Sequence, residues 1–355
     1  LSLMANAQSN APIDVLHYDI NLSILSIASQ QIDGYTKVQF QSNQSGLQQV
    51  QLDLLSLTVD SVRFQNQLLS TTYNDTVLTI NLPGPMAQRA TGELTVYYRG
   101  TPPQDPNGFG GFYFSTDTTV AFNLGVSLNL DPHNFGKVWF PCVDNFTDKA
   151  LYDFRIRTTP NRIAVCGGTL QSETTNPDGT KTWHWKLHDV IPTYLASVAV
   201  SNYTAVTDTF QGQAGPIPIS IYVKPSDTTA ARNSFTRLKL VLADFENKFG
   251  TYRWGRVGYV AVPFTGGAME HATNIAYPAV AVNGTSAFEF LWAHELSHSW
   301  FGNLATCETA EEMWLNEGFA RYCESVYQEG LYGKTQARNY LRNVHRNVLQ
   351  FAHLA

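Results

Sequence analysis

Charge is scarce in this chain: Asp, Glu, Lys and Arg make up 15 % of its 355 residues, against about 25 % in an ordinary soluble protein. Much of the surface must therefore be Ser, Thr, Asn and Gln, a composition that fits an exported protein. The net charge is -6, from 29 acidic and 23 basic residues. No Lys/Arg run could track a phosphate backbone, so nucleic acid is not an expected partner. Cysteine is sparse too. Cys142, Cys166, Cys307 and Cys323 do not make a disulfide scaffold, and no pair has the C-x2-C spacing of a structural zinc knuckle. Buried thiols are the simplest reading; an exported chain could carry one or two bridges, whose pairing sequence does not reveal. No stretch approaches the ~20 continuous apolar residues of a membrane span, so no transmembrane segment is expected. There is no fixed-period repeat and no low-complexity tract, and nothing bears on oligomeric state.

What is present suggests two domains with cores of their own. Leu1-Ser2-Leu3-Met4-Ala5-Asn6-Ala7 reads as the tail of a signal peptide, with an Ala-x-Ala cleavage site before Gln8. A short apolar lead into the first strand is the alternative. Residues 1–11 are thus assigned to a signal-peptide remnant and linker, and the protein to an exported location: periplasmic, cell-surface or secreted. From residue 12 to 203 apolar residues recur with period two, at Leu16, Tyr18, Ile20, Leu22 and Ile24, then Val50, Leu52 and Leu54, Leu78, Ile80 and Leu82, and Leu94, Val96 and Tyr98. Turn signals such as Asn74-Asp75, Pro83-Gly84 and Pro177-Asp178-Gly179 divide the runs. This half is predicted to be antiparallel β, a sandwich or a curved sheet.

Residues 204–355 have a mixed α/β texture. Pro216 to Val223 can form one or two strands, and Ser226 or Asp227 is placed to cap a helix with Phe235, Leu238, Val241, Leu242, Phe245 and Phe249 on its apolar face and Gly250 at its end. A strand at Val257 to Val262 leads into Thr265-Gly266-Gly267-Ala268-Met269-Glu270-His271. A further helix is predicted from about Ser286 to Phe301, closed by Gly302, then a helix carrying Glu317, and another from 335 in which the chain stops.

His294-Glu295-Leu296-Ser297-His298 carries the chemistry. At about 3.6 residues per turn both imidazoles lie on one helix face and can address one ion. Glu295 sits roughly a hundred degrees around, near enough to hold a water without ligating the metal. Two histidines four apart occur on many helices for ordinary reasons, but Glu317, nineteen positions past His298, could close a His2Glu zinc site with a fourth position open, the mark of a catalytic centre. Glu324 is seven residues beyond Glu317, on the same helical face, and could accept the free N–H of a ligand histidine; a solvated glutamate is the bland alternative.

His294-Glu295-Leu296-Ser297-His298-Ser299-Trp300-Phe301-Gly302-Asn303-Leu304-Ala305-Thr306, followed by Trp314-Leu315-Asn316-Glu317-Gly318-Phe319-Ala320, closely resembles the gluzincin zinc aminopeptidases, the family of aminopeptidase N and leukotriene hydrolase. Gly267-Ala268-Met269-Glu270 and Phe140-Pro141-Cys142-Val143-Asp144 resemble two further blocks of that family. The resemblance runs from about residue 12 to the end. It implies an N-terminal β saddle over 12–203 and a thermolysin-like α/β peptidase domain over 204–355, incomplete on its C-terminal side. It implies one Zn2+ on His294, His298 and Glu317, with Glu295 as general base and later proton donor to the leaving amine. Gly267, Ala268 and Met269 would bind an extended substrate backbone, and Glu270 the free α-ammonium of a peptide.

Three departures from the family pattern matter. His271 stands where the family has Asn, and an imidazole can titrate near neutral pH, so amine affinity is expected to depend on pH. The Gln expected before Phe140 is absent; Asp131, His133 or Asn134 could substitute. The family's transition-state tyrosine lies further past the third ligand than the 38 residues found here; Tyr322, Tyr327, Tyr332 and Tyr340 are too close to Glu317 to align with it. The chain as given is therefore expected to bind zinc and turn over poorly, a missing oxyanion donor typically costing about 10²–10³. The leading expectation is an aminopeptidase, with a broader metallopeptidase or a peptide-binding module of the same fold as alternatives.

Overall fold

The structure, a computed structural model, describes residues 11–106, 108–128 and 133–352. The signal-peptide reading of residues 1–7 and the candidate Asp131 fall outside the described residues.

The first half is built on sheets. Eight strands form the largest sheet, in the spatial order Thr169–Thr175, Lys181–Ile191, Ala150–Thr158, Ile13–Ile24, Ile32–Ser42, Thr91–Gly100, Thr58–Phe64 and Gln67–Leu68. Every neighbouring pair is antiparallel except Ile13–Ile24 with Ala150–Thr158. A three-stranded sheet (Leu47–Asp53, Val77–Met86, Thr71–Tyr73) and a four-stranded one (Ile163–Cys166, Val198–Ser201, Ala121–Leu124, Gly111–Phe114) complete this half. Alternation drives the burial, as expected: Val50 and Leu52, Leu78 and Ile80, and Leu94, Val96 and Tyr98 all face the core. Leu16 is the exception. The register of Ile13–Ile24 slips between Val15 and His17, so the buried set changes from odd positions (Ile13, Val15) to even ones (Tyr18, Ile20, Leu22, Ile24). Leu16 falls on the outer face.

The Phe140-Pro141-Cys142-Val143-Asp144 block ties these sheets together. Cys142 and Asp53 exchange backbone hydrogen bonds of 3.0 and 2.7 Å. The Asp144 amide donates to Asp53 Oδ2 at 2.9 Å, and Asp144 Oδ1 accepts the Thr193 hydroxyl at 2.5 Å. All four cysteines are free, buried thiols.

Strands from Thr204 onward join a different sheet: Thr204–Gly212, Gly215–Val223, Val257–Val262 and Ile275–Pro278, the last three parallel. Five helices follow among the described residues: α1 (Thr228–Ser234), α2 (Leu238–Phe249), α3 (Glu289–Ser297), α4 (Met313–Tyr332) and α5 (Lys334–Ala352); α1 and α2 lie against the strand Thr204–Gly212, and α4 packs against α2, α3 and α5. No described helix is long and apolar enough to cross a membrane. The single helix expected between Asp227 and Gly250 is two. Thr236 Oγ1 donates back to the carbonyls of Arg232 and Asn233, competing with the helical ladder. Phe235 meanwhile turns into the core beside Tyr259, Tyr277 and Trp292. Asp227 occupies the cap position of α1 without a side-chain capping bond, its carboxylate taking the Ser226 hydroxyl instead.

One buried acid sets a pH dependence for this scaffold. Asp148 Oδ2 accepts the Val15 amide at 3.2 Å, whereas Oδ1 is buried without a partner. Burial, aided by the charge of Asp14, raises its pKa to about 7. A raised acid pKa means that the folded state holds a proton the unfolded chain has released, so its stabilisation is complete below about pH 4 and lost as pH rises through 7. Asp148→Asn is therefore expected to change stability little at pH 4 and to raise it at pH 8 by roughly 1–3 kcal/mol, read from denaturant midpoints at both pH values. Equal effects at the two would contradict the assignment.

Candidate active site

Helix α3 is held by its apolar side. Trp292, Ala293 and Leu296 are buried, Trp292 Nε1 donates to Ser234 O at 3.2 Å, and the Tyr259 hydroxyl donates to Trp292 O at 2.9 Å. That leaves His294 and His298 facing the opposite way. The helix is shorter than the sequence suggests, ending at Ser297, with His298 still in helical conformation as its C-cap. Beyond it Ser297 O accepts the amides of Trp300 and Phe301, and Gly302 takes φ +132°. Tryptophan anchors fix this turn: Trp254 Nε1 donates to Ser299 O and Trp300 Nε1 to Gly250 O, both at 2.9 Å.

Helix α4 arrives through a short 3-10 turn closed by a Thr309/Glu312 capping box, which satisfies otherwise orphaned amides. Phe319 stacks on Phe301 with centroids 4.9 Å apart, setting α4 against the turn after α3. Glu317 thereby reaches both histidines, its Oε2 at 3.2 Å from His294 Nε2 and its Oε1 at 3.7 Å from His298 Nε2. The two Nε2 atoms are themselves 3.2 Å apart.

The hydrogen bonds behind the rings show what this arrangement fits. His298 Nδ1 lies 2.9 Å from Phe301 O, a carbonyl that can only accept, so Nδ1 carries the hydrogen. His294 Nδ1 lies 2.9 Å from Glu324 Oε1, and against an ionised carboxylate it too is the donor. In the neutral rings each Nε2 is then a bare lone pair, and two lone pairs plus a carboxylate converge on one point. A proton can relieve this on one ring only, and it does so at His294, where burial opposes but the facing carboxylates of Glu317 and Glu324 raise the pKa to about 10; a divalent cation suits all three donors. The nitrogen and oxygen set is one that zinc accepts.

Glu270, Glu295 and His298 form a second convergent group, with one oxygen or nitrogen from each within 4.8 Å of the others. The side chains named from sequence are thus brought together: Glu295 and Glu270 are 5 % and 6 % exposed. Gly267 and Ala268 lie outside any regular strand, with Gly267 at φ +146°. Only Met269 pairs, exchanging bonds of 2.9 and 3.0 Å with Ala276 at the sheet edge. Glu270 O accepts Asn303 Nδ2 at 2.9 Å, joining this segment to the turn after His298.

Burial dominates the electrostatics. It raises the Glu295 carboxyl to about 7, with the charges of Glu317 and Glu324 adding and His294 opposing. Glu270 is pushed well above its usual range by burial and by the charges of Glu317 and Glu295. His271 behaves otherwise than expected. It is 1 % exposed, its Nε2 lies 3.5 Å from Asn123 Nδ2, and its Nδ1 has no partner. Burial lowers its pKa to about 3, so it stays neutral near pH 7 and cannot supply the anticipated pH dependence. Of the residues considered in place of Gln, His133 turns its Nδ1 to Ser127 O at 2.7 Å, and Asn134 is buried with Nδ2 unpartnered.

Sequence reasoning missed three contributors. Asn303 was hidden in a turn. Arg321 and Tyr340 both bind Glu324; the three-residue spacing of Arg321 and Glu324 was readable, but Tyr340 comes from α5. It sits behind His294, not on the side where Nε2 points.

Residues 14–195 match the Peptidase M1 N-terminal domain and residues 234–353 the Peptidase family M1 domain. The chain belongs to peptidase family M1. It is 30 % identical over 252 residues to human endoplasmic reticulum aminopeptidase 2, covering 67 % of this chain and 26 % of the relative. It is 32 % identical over 225 residues to bovine glutamyl aminopeptidase, covering 60 % and 23 %. The chain thus spans about a quarter of the length of the curated relatives it matches. The fold is shared with an M1 zinc metallopeptidase from Deinococcus radiodurans (TM-score 0.83, 24 % identity, 95 % of this chain and 75 % of the other). It is shared as well with a mutant two-domain M1 zinc metallopeptidase bound to L-tryptophan (TM-score 0.82, 23 %, 94 % and 76 %).

Gly302 tests the geometry. A Cβ there would meet His298 Nδ1 at 3.2 Å, at a φ that L side chains rarely adopt. Gly302→Ala is expected to cost about 1–3 kcal/mol of stability and to weaken metal binding, as read by denaturant melts and chelator competition. A variant unchanged in both would show that the turn does not set the ring.

Proposed function

We propose that this chain carries the metal centre of a zinc-dependent aminopeptidase, hydrolysing the N-terminal peptide bond of peptides with a free N-terminus. Residues 12–203 are read as its β domain, 204–355 as its peptidase domain, and the protein as exported. The observation that carries the reading is the convergence of His294 Nε2, His298 Nε2 and Glu317 beside two buried carboxylates. Metal binding alone would not need the latter.

His294, His298 and Glu317 would hold the ion. An ion held by these three side chains would supply Lewis acidity, to polarise a scissile carbonyl and lower the pKa of water. Glu295, raised to about 7, is poised to take a proton from the attacking water and return it to the leaving amine. Glu270 faces like charges, Glu317 and Glu295, with His294 the one cationic influence. The carboxylate form is short of a positive partner, and the α-ammonium of a peptide supplies one. This pairing restricts cleavage to the first residue. Met269, on the outer side of Ile275–Pro278, offers an edge along which an extended substrate can lie. Glu324, behind His294, fixes the ring and its tautomer.

Three measurements check this. The protein should take up one zinc, and His294→Ala or Glu317→Ala should abolish tight binding. Glu295→Gln should keep the zinc and lower turnover about 10²–10⁴-fold; undiminished activity would remove Glu295 as base. A free aminoacyl amide should be cleaved and its N-acetylated form spared, with Glu270→Ala erasing the preference. Equal turnover of both forms by the unaltered protein would sink the aminopeptidase reading and leave a broader metallopeptidase.

A further inference from the structure

Glu324 holds more than His294. Its side chain is 2 % exposed, and both oxygens are committed. Oε1 faces His294 Nδ1 at 2.9 Å and accepts Arg321 Nη1 at 2.8 Å. Oε2 accepts the same Arg321 nitrogen at 2.8 Å and the hydroxyl of Tyr340. The Arg321 guanidinium also lies 5.6 Å from the centroid of the Tyr340 ring, so arginine and tyrosine brace each other while both grip the carboxylate. Burial and the neighbouring charge of Glu324 raise the Tyr340 pKa, which keeps its hydroxyl protonated and a donor. Resting on the zinc reading above, we infer that Tyr340 and Arg321 are positioning residues for the metal centre, acting through Glu324 on His294.

The path is physical at each link. A carboxylate buried this deeply pays for desolvation unless its lone pairs are filled. Removing the Tyr340 hydroxyl leaves one lone-pair direction of Oε2 empty and frees the group to turn about its last side-chain bond. The Nδ1–H bond of His294 then loses its fixed acceptor, and with it the aim of Nε2. Tyr340 belongs to α5, a helix whose buried set contains only Ala337, one turn before it. Ala337 and Tyr340, three apart on one helix face, thus form the contact by which α5 reaches the ligand shell. The order of α5 is coupled to metal affinity through one hydroxyl.

The test is zinc affinity by chelator competition, with the melting temperature of the metal-free protein recorded beside it. Tyr340→Phe and Arg321→Ala should each weaken zinc about tenfold, toward the range seen when a ligand's hydrogen-bond partner is lost. Arg321→Lys, which keeps a cationic donor, should recover part of that loss. Because both residues act through Glu324, adding Tyr340→Phe to Glu324→Gln should change zinc affinity less than twofold beyond Glu324→Gln alone. A merely structural role would lower the metal-free melting temperature and leave zinc affinity within twofold of the unaltered protein, and that result overturns the inference. So would additive losses in the double variant. Zinc binding that survives His294→Ala overturns the zinc reading itself, and this inference with it. Binding lost in His294→Ala but unchanged in Tyr340→Phe overturns the inference alone.

Discussion

Everything at this centre depends on where two hydrogens sit. Phe301 O and Glu324 Oε1 each hold the Nδ1 hydrogen of a histidine, which turns both Nε2 lone pairs inward and makes them donors to a cation. The carbonyl is fixed by the turn after α3, and the carboxylate by α4 and α5. The geometry of the converging donors is thus a product of three separate elements. Residue spacing on one helix puts the histidines side by side, but it does not decide which nitrogen each presents.

A second dependence crosses from the β half to the site. Asp53, Asp144 and Thr193 form a chain of hydrogen bonds leading to the short 3-10 turn Thr193–Leu195. Leu195 O accepts the Ala272 amide, and Asn123 Nδ2 meets the His271 ring at 3.5 Å. Residues 271 and 272 follow Glu270 directly. The segment carrying that carboxylate is therefore pinned on one side by the β domain and on the other by Asn303. A polar side chain at 271 is used as packing, which explains why His271 is held neutral.

The pattern of residues anticipated the change from sheet to mixed texture and the residues that meet around His294, because each depends on local spacing or on a motif. It misplaced Leu16, since a register slip inside a strand leaves no mark on alternation until strand partners are known. It ran α1 and α2 together, since a single helix and two helices share one apolar set; Thr236, free to bond its own backbone, was the available warning. It let His271 titrate near neutral pH because the contact that meets its ring, Asn123, is far away in the chain. Tyr340 was weighed against a role on the substrate side of the metal, and nothing in its spacing from Glu317 could show that α5 folds back behind His294.

Acid is concentrated in a protein that has little charge elsewhere. Glu270, Glu295, Glu317 and Glu324 meet at one place, with the Arg321 guanidinium bound to Glu324. Burial raises Glu270 and Glu295, whereas at Glu317 and Glu324 the hydrogen bonds and charge of a His294 protonated in the absence of metal, with other donors, outweigh it and lower both. Two carboxylates are thus suited to hold charge against a cation and an imidazole, and two are suited to carry protons or await a cationic partner. The division follows from what each oxygen touches. It also accounts for the enclosure, because in water the four would titrate alike and the site would lose its distinction between ionised and protonated carboxyl groups.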